Sequence, residues 1–329
     1  MGDHRRVSTV GHPTIAAIVP ATDSPQTLER CLAAIRSAED PPEEVIAVTE
    51  PEGIGAAAAR NTGARRAGGD VLVFVDADVL VHRDAFRRVR RAFAQDPGQS
   101  AMFGAYDDSP EATDPISAFR NLLHHHVHQA GAGRAATFWT GLGAVRRDVF
   151  EGVGGFDEEL FAAPEASVED IELGMRLCAR GARIELDPAL QGTHLKRWTL
   201  GEMLRVDFRR RGVPWVALLL LDRERSRGGL PAGARASGAL NLGWRHRLSA
   251  LACLVGATAL VRGRLPAVGL ALAALVGLNA RFYALLMRRG GIEVAGPGVG
   301  LHALHHLTAI SSTPAGVVLY LRWRGRGPS

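Results

Sequence analysis

The chain has 329 residues, of which 47% are hydrophobic and 22% charged, and its net charge is +5. That is more chain than one ordinary core needs, so we expect a folded domain with an appended region. The basic residues are almost all arginine, and they cluster beside apolar segments rather than with aromatic residues. This placement argues against nucleic-acid binding and favours contact with a membrane surface.

Three widely spaced cysteines, Cys31, Cys178 and Cys253, indicate neither a disulfide framework nor a metal knuckle. The apolar run near the N-terminus, residues 15–19, is too short for a signal peptide. We therefore expect residues 1–13 to be a tail and the first domain to be cytosolic.

Strand and helix patterns alternate along the first half of the chain. Apolar runs predict strands at residues 14–19, 44–48, 71–75, 101–105 and 183–186. Between them we expect a helix capped by Ser24 with Pro25 at its first position, a Gly/Ala-rich helix over 55–66, a helix capped by Asp84, and one over 168–180. This order predicts an α/β domain over residues 14–198, with a parallel sheet covered by helices on both faces.

Residues 106–136 show no clear periodicity, and we expect a variable loop or insertion there. The segment contains His124, His125, His126 and His128, which invites a zinc interpretation. Adjacent histidines on one helix point in different directions, and their spacing is poor for structural zinc. We favour a polar loop or a helix beside the site.

Beyond residue 198 the apolar residues lie in longer runs. Residues 199–221 have an amphipathic pattern that predicts a helix in the bilayer interface with Trp215 as its anchor, and a linker follows to residue 245. The alternative is a surface helix that packs on the domain. Apolar runs at 248–261, 265–287 and 299–321 predict two or three membrane spans within 246–322, followed by a basic tail at 323–329.

Two carboxylates, Asp76 and Asp78, follow the predicted strand at 71–75. Paired acids are costly at the end of a buried strand, and α/β sheets bind ligands at the carboxyl ends of their parallel strands. Such oxygen ligands suit Mg²⁺ or Mn²⁺, which could in turn hold a diphosphate. A D-x-D pattern is common in loops, so its position after the strand carries this prediction.

A second acidic group begins the helix predicted at 168–180 and contains Glu169 and Asp170. Acids in a first helical turn can be explained by the helix dipole alone. Glu165, Glu169, Asp170 and Glu172 together exceed what a helix cap needs.

Several segments in a consistent order resemble the family 2 glycosyltransferases of the GT-A fold. Residues 55–63 and 69–78 resemble the donor half, and residues 141–147, 150–157 and 169–177 resemble the acceptor half. The resemblance covers roughly residues 14–199. It implies a mixed, mostly parallel sheet with flanking helices and transfer of a sugar from a nucleotide donor.

The resemblance also implies a role for each matching position. Pro20, Ala21 and Asp23 would line the nucleotide pocket, Arg60 and Asn61 would help hold the nucleotide, and Asp76 and Asp78 would bind the metal and diphosphate. Asp170 would be the general base, with Glu169 beside it. His194, Arg197 and Trp198 match an element that contacts the diphosphate and the acceptor.

The sequence departs from the family pattern at two places. Glu50, in Thr49-Glu50, stands where an aspartate usually reads the nucleobase, and the segment before Gly55 is short, so the nucleotide stays open among UDP, GDP and dTDP. His194 replaces a glutamine, and it could hydrogen-bond or ligate metal; we favour the hydrogen bond.

The resemblance implies an inverting enzyme, and together with the apolar C-terminal segments it leads us to expect transfer of one sugar to a hydroxyl or phosphate of a membrane-lipid or lipid-linked acceptor in cell-envelope synthesis. Apolar helices follow the predicted domain and none precedes it, which favours single transfer over processive synthesis. We expect an inner-membrane, multi-pass protein with a cytosolic catalytic domain. A nucleotidyltransferase and an inactive membrane scaffold are the alternatives.

Overall fold

The computed structural model describes residues 12–23, 25–161, 168–227 and 243–324. Within them the strands are β1 (Ile15–Pro20), β2 (Glu44–Val48), β3 (Val71–Val75), β4 (Val79–Val81), β5 (Ala101–Tyr106), β6 (Gly133–Ala135), β7 (Leu142–Arg146) and β8 (Ile184–His194). The predicted Ser24 cap lies outside the described residues, as do most of the predicted tails.

The helices of the first domain are α1 (Leu28–Arg36), α2 (Ala56–Arg66), α3 (Ala85–Gln95), α4 (Pro115–Ala130), α5 (Arg147–Gly152) and α6 (Glu169–Ala179). The helices that follow are α7 (Leu200–Arg205), a π-helix (Val206–Gly212), α8 (Val213–Arg227), α9 (Trp244–Val261), α10 (Leu265–Leu278), α11 (Ala280–Ser311) and α12 (Thr313–Arg324).

The described strands form one mixed sheet in the order β2-β1-β3-β7-β5-β8-β4, and β6 pairs with β8. Strands β1, β2, β3, β5 and β8 run in one direction, while β4, β6 and β7 run against them. The predicted α/β class with a mixed, mostly parallel sheet is confirmed.

Alternate residues of the central strands fill two cores, one on each face of the sheet. In β1, Ala16 and Ile18 belong to one core, whereas Ile15, Ala17 and Val19 belong to the other. This is the period of two expected of a strand that is covered on both faces. Helices therefore flank the sheet on both sides, and the carboxyl ends of its parallel strands form one edge.

Helix α2 lies very close to the sheet because of Gly63. A Cβ atom at Gly63 would come within 2.3 Å of Cγ2 of Ile18. The side chain of Arg60, one turn earlier, is consequently buried at the sheet edge. Gly63 thus lets α2 approach the sheet closely enough to place the Arg60 side chain at the sheet edge.

Three expectations about the first domain were wrong. Helix α1 begins at Leu28 rather than at Pro25, because a turn precedes it in which the Leu28 N–H donates to the Pro25 carbonyl. The segment predicted to be a loop contains α4, which Asp114 caps through a 3.1 Å bond from the Ser117 N–H. Strand β8 continues eight residues beyond the predicted end at Leu186, to His194.

The predicted interfacial segment, residues 199–221, packs largely on protein. Met203 and Val206 are buried against α4 and α11, and Ala217 and Leu218 of α8 join a core of the sheet. The arginines of this segment, Arg205, Arg209 and Arg210, are exposed. The apolar side of this segment therefore packs on the domain, as the alternative to a membrane-interface helix predicted.

The predicted continuous spans at 265–287 and 299–321 are both interrupted, at Asn279 and at Ser312. Among the described residues no single helix has the length and apolar composition to cross a membrane. Helices α10 and α11 meet that test only as a pair, and they are bent by 77° at their junction.

Large exposed apolar side chains concentrate in this C-terminal helical region. Of those that the structure describes, all except Leu200 lie between Trp244 and Leu321, including Leu251, Leu270 and Val318. An apolar surface of this kind marks a face that contacts a membrane or another protein.

Candidate active site

The edge where β3 ends carries the predicted carboxylate pair. The Asp76 N–H donates to the Gly141 carbonyl, the Val79 N–H donates to the Asp76 carbonyl, and the Leu195 N–H donates to the Asp78 carbonyl. These bonds hold the turn between β3 and β4. The side chains of Asp76 and Asp78 are 32% and 30% exposed, so both can reach a ligand.

Arg60 joins the two acidic groups that the sequence predicted separately. Its Nη2 donates to Oδ1 of Asp76 at 2.8 Å, and its Nη1 donates to Oε1 of Glu169 at 2.6 Å. Burial disfavours the charged guanidinium, but the charges of Asp76 and Glu169 raise the pKa of Arg60 overall. The end of β3 and the first turn of α6 are thereby held together by one cation.

The carboxyls of the turn differ in their electrostatics. Burial and the negative charge of Asp78 raise the pKa of Asp76, although Arg60 opposes them. Burial also disfavours the Asp78 carboxylate, but the His194 imidazole lowers the pKa of Asp78 overall. Because the negative charge of Asp78 raises the pKa of Asp76, a cation between the two carboxylates would be stabilised.

Glu169 and Asp170 are adjacent in sequence but occupy different environments. Glu169 is buried and bound by Arg60, whereas Asp170 is partly exposed and receives hydrogen bonds from the Ile171 N–H at 2.8 Å and the Thr140 N–H at 3.4 Å. Burial and the charge of Glu169 raise the pKa of Asp170 to about 7. Asp170 can therefore exchange a proton near neutral pH.

His194 lies at the end of β8 against the carboxylate pair. Its Nε2 is 3.4 Å from Oδ2 of Asp78, and its ring stacks on Tyr106 with 4.1 Å between centroids. Among the described residues no cluster of three or more His, Cys, Asp or Glu side chains is arranged to hold a metal. Nε2 of His194 therefore faces the carboxylate pair.

Trp198 and Arg197 diverge after β8. Trp198 is buried and lines the cavity, and Lys196 Nζ lies 4.2 Å from the centroid of its ring. The side chain of Arg197 is exposed and does not line the cavity. The structure therefore brings Trp198, but not Arg197, to the site.

Some of the predicted donor-binding residues line the cavity and others do not. Pro20, Asp23, Arg60 and Asp76 line the cavity, and Ala21 and Glu50 do not. Asn61 is also outside the lining, because its amide bonds the backbone of Phe156 through both its oxygen and its nitrogen. That contact fixes the turn before Phe156, where Gly155 has a φ of +70°.

A single cavity of about 1060 Å³ extends from this edge to the C-terminal helices. Its two ends carry opposite charge. We call the acidic end the part lined by Arg60 and five carboxylates, Asp23, Asp76, Asp78, Glu169 and Asp170. We call the basic end the part lined by Asp207 and four guanidiniums, Arg120, Arg210, Arg211 and Arg245.

Sequence reasoning missed the residues between the two ends. Tyr106 contacts His194 on one side and the ring of His124 on the other, the latter with 4.2 Å between centroids. His124 and His128 also pack on Trp139, so the histidine run of α4 serves as an aromatic wall. Tyr106 directly follows the strand predicted at 101–105, and its position at a strand end could have indicated that it lies at the site.

Comparisons with known proteins show what the chain is similar to. Residues 45–154 match the family model described as Glycosyl transferase family 2. A glycosyltransferase named AglE from Haloferax volcanii is 24% identical over 243 residues, which cover 64% of this chain and 76% of that protein. The mannosyltransferase PcManGT from Pyrobaculum calidifontis, solved with GDP-Man and Mn²⁺, is 19% identical with a TM-score of 0.54, over 94% of this chain and 87% of that one.

The family match includes Arg60, Asp76 and Asp78 and ends before Asp170. The structural likeness extends through the sheet and the helices that follow it, and it supports the predicted GT-A fold. Residues 45–154 therefore match family 2 glycosyltransferases, and the likeness to AglE supports a glycosyltransferase of that family.

Proposed function

We propose that the protein is an inverting, metal-dependent transferase that moves one sugar from a UDP-, GDP- or dTDP-sugar to a membrane-lipid or lipid-linked acceptor. One observation carries this proposal. Arg60 bonds both Asp76 at the end of β3 and Glu169 beside Asp170. A candidate metal site and a candidate base therefore lie at one end of one cavity, as a direct displacement requires.

The residues at the acidic end fit a divalent cation. Asp76 and Asp78 offer carboxylate oxygens that are about one-third exposed. Proteins hold Mg²⁺ with one or two carboxylates, while substrate phosphates and water complete the coordination. Here the donor diphosphate would supply the remaining ligands. When bound, Mg²⁺ or Mn²⁺ would neutralise the charge that develops on the diphosphate as it leaves.

Asp170 is proposed as the general base. Its pKa of about 7 leaves a substantial deprotonated fraction at neutral pH and gives it useful affinity for a proton. It would accept the proton of the attacking acceptor hydroxyl. Arg60 and the Thr140 N–H would keep the surrounding carboxylates and Asp170 itself in place.

Attack from the face opposite the diphosphate would invert the anomeric centre in one displacement. Pro20, Asp23, Gly53 and Gly55 line the part of the cavity next to the carboxylates. We propose that this part receives the nucleotide. Ala21, Glu50, Asn61 and Arg197 would act indirectly, since their side chains do not line the cavity.

The acceptor is proposed to arrive from a membrane. The exposed apolar side chains of the C-terminal helices support this placement, as does the bent pair α10 and α11. Arg262 and Arg264 at the turn between α9 and α10 would suit anionic headgroups. We accordingly propose an inner-membrane protein with a cytosolic catalytic domain that acts in cell-envelope glycan or glycolipid synthesis.

A donor panel tests the function. Purified full-length protein in membranes is incubated with UDP-, GDP- and dTDP-sugars and Mn²⁺, and release of nucleoside diphosphate is followed. We expect one donor class to be consumed, with loss of the activity on chelation. For that donor, NMR of the product should show an inverted anomeric centre. Retention of configuration, or chelator-resistant transfer, would contradict the proposal.

A further inference from the structure

The charges at the basic end of the cavity are poorly balanced. Among its described lining residues, four guanidiniums face one carboxylate, that of Asp207. That carboxylate is already occupied: Asp207 Oδ1 lies 2.5 Å from Nη2 of Arg120, and its Oδ2 lies 2.9 Å from Nδ1 of His305. Arg210, Arg211 and Arg245 therefore leave an excess of positive charge facing the cavity.

Repulsion between cations is evident at Arg120. Burial and the neighbouring charge of Arg211 lower the pKa of Arg120 to about 10, although Asp207 opposes them. Burial raises the pKa of Tyr106 and Arg211 opposes this increase, while Arg120, His305 and Arg211 together lower the pKa of Asp207 against the effect of burial; Arg211 therefore lies near both residues. An anion bound between Arg120 and Arg211 would relieve this repulsion.

A buried histidine without a partner lines the same end. His306 is 1% exposed, and neither of its ring nitrogens has a hydrogen-bond partner among the described residues. The rings of His302 and His246 lie 4.6 and 4.7 Å from it. Buried polar groups in proteins are almost always hydrogen-bonded, so this imidazole on the cavity wall is available to bond a ligand in the cavity.

The basic end is separated from the carboxylates by aromatic rings. Tyr106 lies between His194, which contacts Asp78, and His124 of α4. A nucleotide sugar on the acidic end would therefore leave the basic end free for a second molecule. The cavity volume of about 1060 Å³ is at the upper end of the range for small-molecule sites, so two ligand groups can be accommodated.

We propose that the basic end binds a phosphate group of the acceptor, between Arg120 and Arg211 and within reach of His306. This inference rests on the proposed function, because it assigns the acceptor of that same reaction to an anionic class. It also gives a role to the π-helix, which carries Asp207, Arg210 and Arg211 on consecutive turns of one wall. π-Helical turns occur frequently at functional sites.

Binding of a short-chain alkyl phosphate to full-length protein in non-ionic detergent tests the proposal. Calorimetric titrations are made with saturating Mn²⁺ and whichever nucleoside diphosphate binds, so that the acidic end is occupied. We expect Arg211→Gln and Arg245→Gln each to weaken alkyl phosphate binding about tenfold, since each removes a charged hydrogen-bond donor. Both side chains are exposed, so neither change should prevent folding.

The matched control is Arg209→Gln. Arg209 is exposed on the same π-helix but does not line the cavity, and its substitution should leave the dissociation constant unchanged. Inorganic phosphate is titrated in parallel. Equal affinity for the two probes would mean that the site recognises phosphate alone, and tighter binding of the alkyl phosphate would identify a lipid headgroup.

Two results would overturn the inference: no alkyl phosphate binding at millimolar concentration, or equal weakening in all three variants. A separate result bears on the proposed function. If none of UDP, GDP and dTDP binds with Mn²⁺, the donor assignment fails, while titration of the alkyl phosphate alone still tests the basic end.

Discussion

The two ends of the cavity carry opposite charge and are built from different elements of the fold. The acidic end is built from the carboxyl edge of the sheet and the first turn of α6, and one buried arginine, Arg60, bonds two of its carboxylates. The basic end is built from α4, the π-helix and the C-terminal helices. There one buried carboxylate, Asp207, lies between a guanidinium and an imidazole.

Under the proposed function, this mirror arrangement would allow one cavity to bring together reactants of like charge. An excess of carboxylates attracts a cation, which can hold a diphosphate, whereas an excess of guanidiniums attracts a phosphate directly. Arg60 is the buried cation of the acidic end, and Asp207 is the buried carboxylate of the basic end. Each partly offsets the excess of opposite charge around it, so that the folded protein can keep both charged ends. The difference between the ends leads to predictions that separate chemistry, stability and positioning.

The largest effect should follow Asp170→Asn. Removal of a positioned general base typically costs about 10²–10⁴-fold in rate, and asparagine keeps the side-chain size and an oxygen that can accept the Ile171 N–H. Single-turnover transfer should fall by that factor while the melting temperature stays close to that of the native protein. Asp148→Asn, an exposed carboxylate on α5, is the control and should retain full activity.

Arg60→Met should cost stability as well as activity. Removing one member of a buried ionic group leaves uncompensated charge, at a cost of about 3–5 kcal/mol. Urea unfolding of the native protein and the variant measures this difference. Arg65→Met, on the same helix with a 64% exposed side chain, should cost less than about 1 kcal/mol. Equal effects of the two changes would show that Arg60 does not hold the acidic end together.

The pH dependence of kcat/KM should reflect the raised pKa of Asp170. A base must be deprotonated to act, so the rate should rise about tenfold per pH unit below the pKa and level off above it. Burial and Glu169 set that value to about 7, and a nearby bound cation would only lower it. The acid limb should disappear in Asp170→Asn. An unchanged limb in that variant would assign the proton to another group.

A smaller effect should follow Tyr106→Leu. The Tyr106 ring stacks on His194 and separates the two ends, and an aromatic pair contributes about 0.5–1.5 kcal/mol. We expect transfer to fall about two- to tenfold. Tyr106→Phe keeps the ring and should be nearly neutral. If both substitutions reduce transfer equally, the hydroxyl rather than the stacking is the feature that matters.

The acidic end could be largely predicted from sequence because its residues follow strong local patterns. Strand β3 is five consecutive apolar residues, and Asp76 and Asp78 stand directly after it. Helix α6 has a clear period, an acidic first turn and Gly181 at a φ of +82° after its end. No sequence pattern predicted that Arg60 bonds both acidic groups, because its partners are 16 and 109 residues away in the chain.

The basic end was largely missed because its elements lack a simple period. Helix α4 buries Phe119 against α11 and turns His128 towards β5, so apolar and polar positions alternate irregularly around it. Hydropathy likewise gave no sign of the breaks at Asn279 and Ser312. Asp207 and His305 are 98 residues apart, and only the packing of the π-helix against α11 brings them together.

Equilibrium binding of a nucleoside diphosphate, with and without Mn²⁺, tests the central assignment most directly when it compares Asp78→Asn with Asp170→Asn. We expect the native protein and Asp170→Asn to show the same Mn²⁺-dependent binding, and Asp78→Asn to lose it. Binding that ignores Mn²⁺, or that falls equally in both variants, would contradict a division of the acidic end into a cation site and a separate base.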